Sequence, residues 1–110
     1  MESGYPQKKK QRMMARKYIP PDKKVGLNLT AAERKTILKD VRCLDDDYEQ
    51  AMRETPVDEA VAFTLTDWDY LGGEIFYEAK ETKDRKRQNR LNSLFARIEE
   101  LLATHTSDQD

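Results

Sequence analysis

One cysteine, one histidine and one tryptophan in 110 residues leave little material for several common chemistries. A lone Cys43 excludes an intramolecular disulfide and a zinc site built on several cysteines. Cys43 and His105 stand far apart, with no flanking motif of a nucleophile and its base, so both read as structural or solvated residues. Glycine is scarce too. Gly72-Gly73 is not followed by Lys-Ser/Thr and is no phosphate-cradling loop. No apolar run approaches the roughly 20 residues of a membrane span. The basic N-terminus has no apolar stretch behind it, so it does not read as a secretory signal. A cytoplasmic location and no membrane contact are the expectations.

Charge is abundant instead. Twenty Lys/Arg and twenty-one Asp/Glu give a net charge of −1. The near-neutral total hides a division of sign. Residues 1–24 carry eight bases against two acids, a net of +6, and residues 25–110 carry twelve bases against nineteen acids, a net of −7. The chain reads as an acidic body behind a basic arm. Gly4, Pro6, Pro20 and Pro21 break regular structure in the arm, so 1–24 is expected to be disordered. Met13-Met14-Ala15-Arg16 also reads as a native start, which would make the first dozen residues an extension.

The body shows helical patterning. Thr30 with Glu33 forms a capping box, the cap alone worth about 1 kcal/mol. Ile37, Val41, Leu44, Tyr48 and Ala51 then recur at helical spacing across Asp45-Asp46-Asp47, which predicts one helix over Ala31–Arg53 stopped by Pro56, with a kink near Asp46 as the alternative. Val57 to Leu65 alternates weakly and reads as an extended connector packed on the core in preference to a true strand, which could form a ladder only with Val25–Leu29 or another chain. Thr66 reads as the next cap, with Trp68, Leu71, Ile75, Phe76 and Ala79 on one helical face. Gly72-Gly73 inside that helix costs about 1 kcal/mol per residue against Ala. It reads as room for a neighbouring element to come close. The apolar phase slips between Ala79 and Leu91, which predicts a break at Thr82-Lys83-Asp84. The expected fold class is all-α: a small domain of three helices over Ala31–Arg53, Asp67–Lys80 and Arg85–Ala103. The domain spans 25–104, with a disordered tail at 105–110.

Three constellations bear on function. The carboxylates Glu74, Glu78 and Asp45-Asp46-Asp47 with Glu49 lack both an EF-hand spacing and any sign of burial, and read as solvated. No catalytic residue, cofactor or metal is expected. Two basic clusters, Lys8, Lys9, Lys10, Arg12, Arg16 and Lys17 in the arm and Arg85, Lys86, Arg87 and Arg90 at the bend, carry an alternative expectation of nucleic-acid binding. The acidic body opposes it. The apolar stripe of the last helix carries the leading expectation. Leu91, Leu94, Ile98 and Leu101 make a near-heptad edge, read as a seam for another protein or a second copy. The sequence thus points to a non-enzymatic interaction module.

Overall fold

Thr30 starts the first helix as its residue type predicts. Its hydroxyl accepts from the Glu33 amide at 3.0 Å, and the Glu33 carboxylate accepts from the Thr30 amide at 2.9 Å. A computed structural model describes residues 16–42 and 44–107, and in it helix α1 covers only Ala31–Asp40. The single helix expected as far as Arg53 is two, because α2 begins anew at Asp46–Glu54. Asp45 is the cause. It adopts an extended backbone, and its carboxylate accepts the Asp47 amide at 2.9 Å. Asp46 and Asp47 then sit in a first turn, where the helix dipole favours negative charge. The apolar phase survives the break, with Ile37, Val41 and Tyr48 all buried.

The connector is a strand after all. β3 (Val61–Thr64) pairs antiparallel with β2 (Lys24–Leu27), in a register that sets Val25 opposite Phe63 and Gly26 opposite Ala62. Val61 and Phe63 point into the core and Ala62 outward, the period of a half-buried strand. A side chain at Gly26 would put its Cβ 2.8 Å from the Cβ of Ala60, so the ribbon closes only with glycine there. A second, parallel pair joins β1 (Lys17–Tyr18) to β4 (His105–Thr106), extended by the Ile19 amide donating to the Thr106 carbonyl at 2.8 Å. The end of the basic arm thus meets the end of the body, and residues 1–15 lie outside the described residues. The fold is mostly helical, as expected, but the all-α, three-helix description is not exact. Among the described residues there are four helices and two short ladders.

Helix α3 (Leu65–Glu81) is capped by Thr64 rather than Thr66. The Thr64 hydroxyl accepts the Asp67 amide at 3.2 Å, and the earlier start buries Leu65 in the first turn. The break at 82–84 falls where the phase slip predicts it. Asp84 then caps α4 (Arg85–Thr104) by accepting the amides of Lys86 and Arg87 at 3.0 and 3.2 Å. The α3–α4 pair is the most extensive packing in the molecule. Trp68, Leu71, Ile75 and Ala79 face Leu91, Leu94 and Ile98, and all seven are buried.

The glycine pair divides its roles. A Cβ at Gly72 would lie 3.2 Å from Cγ2 of Ile98, whereas a Cβ at Gly73 would meet nothing within 4 Å. Gly73→Ala is therefore expected to raise stability by about 1 kcal/mol, through helix propensity alone. Gly72→Ala gains the same propensity. However, Ile98 is β-branched and fully buried and cannot yield, so a net loss of about 1 kcal/mol is expected. Urea denaturation of the two variants beside the parent separates the signs.

Candidate functional site: an aromatic face on the third helix

The periodicity of α3 that sends Trp68, Leu71 and Ile75 inward sends Tyr70, Gly73 and Tyr77 outward. Tyr70 and Tyr77 are 52% and 53% exposed, and Phe76 beside them is 44% exposed. Phe76 was expected on the inner face. Instead it leans against Phe95 of α4, with ring centroids 5.1 Å apart and the Lys80 ammonium 5.6 Å from its own ring centre. On the other flank Tyr70 lies 6.1 Å from Tyr48 of α2. The outer ridge of α3 is thus an aromatic band with a gap at Gly73.

Tyr48 anchors the α2 side of the band. It is edge-on to Phe63 at 5.0 Å, and Phe63 is in turn edge-on to Trp68 at 5.0 Å. The Tyr48 hydroxyl donates to Oδ1 of Asp67 at 2.8 Å. Burial chiefly, then that hydrogen bond and the charges of Asp67 and Asp45, raise its pKa well above the usual tyrosine value. Tyr48 therefore stays a neutral donor and holds α2 to the first turn of α3.

Of the carboxylates read as solvated, Glu78 departs from that reading. Glu78 is buried and accepts the amide and Nε of Arg42, both at 3.3 Å. Asp40, also buried, lies with Oδ1 3.2 Å from Nε of Arg87. That Nε is buried and poorly aligned for a hydrogen bond, while Nη2 of Arg87 lies 3.5 Å from the Asp40 carbonyl. The burial follows from the split of the first helix. The end of α1 and Arg42 fold onto the junction of α3 and α4, and cover Glu78 there.

The residues expected to bind a partner are placed otherwise. Leu91, Leu94 and Ile98 are at most 1% exposed and are enclosed within the chain, so no partner can reach them. Leu101 is half-buried against the same core. Gly72 contributes to this, because the close approach it allows at Ile98 lets α3 cover Leu91, Leu94 and Ile98. In the basic clusters, Arg85, Lys86 and Arg90 are exposed on the first turns of α4, and Arg87 is occupied by Asp40. Arg16 and Lys17 are exposed, and Lys8, Lys9, Lys10 and Arg12 lie outside the described residues. Cys43 lies outside them as well. His105 closes α4, with Nδ1 3.0 Å from both the Thr104 hydroxyl and the Leu101 carbonyl.

Sequence reasoning missed Tyr70 and Tyr77, and read Gly73 with Gly72 only as room for a neighbouring element. The signal was present, since two tyrosines seven residues apart fall opposite the Trp68–Leu71–Ile75 row, where polar residues are the rule. Among the described residues no group of three His, Cys, Asp or Glu side chains is placed to hold a metal ion. Among them, too, no helix is long and apolar enough to cross a membrane. No family model matches the chain, and no curated protein or solved structure is significantly similar to it.

Proposed function

We propose that this chain is a non-enzymatic interaction module that pairs with a second copy of itself through the outer face of α3. The observation that carries the reading is the ridge Tyr70–Gly73–Tyr77, two exposed rings on either side of an open glycine. Such a face is self-complementary. A second helix laid antiparallel, centred near Gly73, sets the tyrosines of each copy beside the open glycine of the other. The same pairing brings Asp69 of each copy towards Lys80 of the other, since both are exposed on that side of the helix at opposite ends. The non-enzymatic reading is supported by the buried titratable groups. Arg34 is held by backbone carbonyls, Glu78 by Arg42, Asp40 by Arg87 and Tyr48 by Asp67.

Sedimentation velocity over a concentration series tests the pairing. The parent chain is expected to shift from monomer to dimer. Asp69→Lys or Lys80→Glu alone sets like charges together and weakens the dimer by about tenfold. The double variant reverses both inter-copy pairs and restores it. A parent chain that stays monomeric throughout, or a double variant weaker than either single one, overturns the reading.

A further inference from the structure

The groove between α1 and α2 has a different character from the aromatic face. It is an open trough of about 450 Å³. Its floor is aliphatic, made by Leu38 and the buried Met52, with Val57 left 63% exposed at its edge. Its rim is cationic, carrying Lys35, Lys39 and Arg53, and no acidic side chain lines it. Arg53 shares its charge with Glu49, with Nη2 3.0 Å from Oε2. Lys35 and Lys39 have no carboxylate within 4 Å among the described residues. Behind them sits Arg34, whose buried guanidinium donates to carbonyls and to no carboxylate among the described residues. The opposite side of α2 is net acidic, since the groove there is lined by Asp47, Glu54 and Glu59 against a single base, Lys24. Opposite signs thus predominate on the two sides of α2, and a positive, apolar-floored groove is cut into an acidic body.

We propose that this groove binds a short segment of another protein that combines aliphatic side chains with Asp or Glu. Two features select that chemistry. The aliphatic floor removes water from apolar side chains, and the rim attracts acids. Lys35 and Lys39 stand one helical turn apart, the spacing of acids at i and i+4 on a docked amphipathic helix. A nucleic-acid strand fits less well. The groove presents no aromatic ring for base stacking, and the surrounding body, net −7 over 25–110, repels phosphate. The groove does not depend on the α3 face, and a dimer would present it twice.

The test uses the full chain and a random library of displayed peptides. Selection on the parent chain is expected to enrich acidic, aliphatic sequences. Enriched peptides, measured by fluorescence anisotropy, are expected to bind Lys35→Glu/Lys39→Glu at least about tenfold more weakly, and to weaken as salt rises. Both lysines are exposed, and circular dichroism checks that the variant folds. Val57→Asp, on a loop, is expected to give a similar loss from the apolar side. Tyr70→Ala/Tyr77→Ala is expected to leave peptide affinity unchanged, so failure of the groove and failure of the dimer are read apart. No enrichment, enrichment of basic or neutral sequences, or binding indifferent to both groove variants overturns the proposal. Displacement of the peptides by a single-stranded oligonucleotide that itself loses affinity on Lys35→Glu/Lys39→Glu also overturns it.

Discussion

Arg34→Met is expected to destabilise the protein by about 3 to 5 kcal/mol, the range for removing one partner from a buried charged network. Arg34 is only 4% exposed. Its Nε donates to the Leu29 carbonyl at 3.2 Å, Nη1 to the Thr55 carbonyl, and Nη2 to the carbonyls of Pro56 and Glu59 at 3.0 and 2.8 Å. These four acceptors belong to two separate stretches, the entry to α1 and the loop between α2 and β3. One planar fork thus joins segments that no ladder connects. Each hydrogen bond to a charged donor contributes about 1.5 to 3 kcal/mol, offset in part by the desolvation of the guanidinium. Methionine fills much of the volume and leaves the carbonyls unpaired, so the loss reports the polar network rather than a cavity. Arg34→Lys keeps the charge but cannot fork towards both stretches, and is expected to recover less than half of the loss. Urea denaturation gives the magnitudes. Hydrogen exchange is expected to show the fastest opening at the amides of Thr55–Glu59. A change of less than about 1 kcal/mol for Arg34→Met would mean that water replaces the guanidinium at little cost.

The features legible in the sequence are those with local causes. The Thr30–Glu33 capping box, the stop ahead of Pro56, the break at 82–84 and the cap at Asp84 each need only neighbouring residues to form. The split at 41–45 was hidden because the chain turns without losing phase. Val41 and Tyr48 enter the same core as Ile37, so the apolar rhythm reads through the gap. Asp45 decides against continuity by capping a new helix, and a run of three aspartates offers three possible caps. The β2–β3 ribbon was hidden for the opposite reason. Its strands are four residues each and far apart in sequence, and the alternation over 61–65 offers Val25–Leu29 only as one candidate partner without favouring the pairing. The roles of the helical faces were the largest inversion. The stripe on α4 has the apolar surplus of a partner seam, yet Gly72 brings α3 close enough to cover it. The surface that remains open is the one on which the sequence had placed no bet.

Trp68 carries the second large effect, because it connects that open helix to the ribbon. The side chain is fully buried, packed edge-on against Phe63 of β3, and its Nε1 donates to the Val25 carbonyl of β2 at 2.8 Å. Val25 is the register partner of Phe63, so one indole ring grips both strands at the same rung. A two-stranded ribbon is marginal on its own. Its attachment to α3 therefore decides whether it forms. Trp68→Ala removes the ring and leaves a cavity, and is expected to cost about 3 to 5 kcal/mol. Trp68→Phe keeps an aromatic ring but deletes the N–H, leaving the Val25 carbonyl without its donor, and is expected to cost about 1 to 3 kcal/mol. The two losses differ in kind as well as size. The alanine variant should lower the stability of the whole α3–α4 core. The phenylalanine variant should chiefly speed hydrogen exchange at the β2–β3 amides, with the helices still protected. Trp68 is the only tryptophan, so circular dichroism, which survives its removal, is the measure of unfolding. If Trp68→Phe loosened all four helices to the same degree as the ribbon, the hydrogen bond to Val25 would not be what holds the strands to α3.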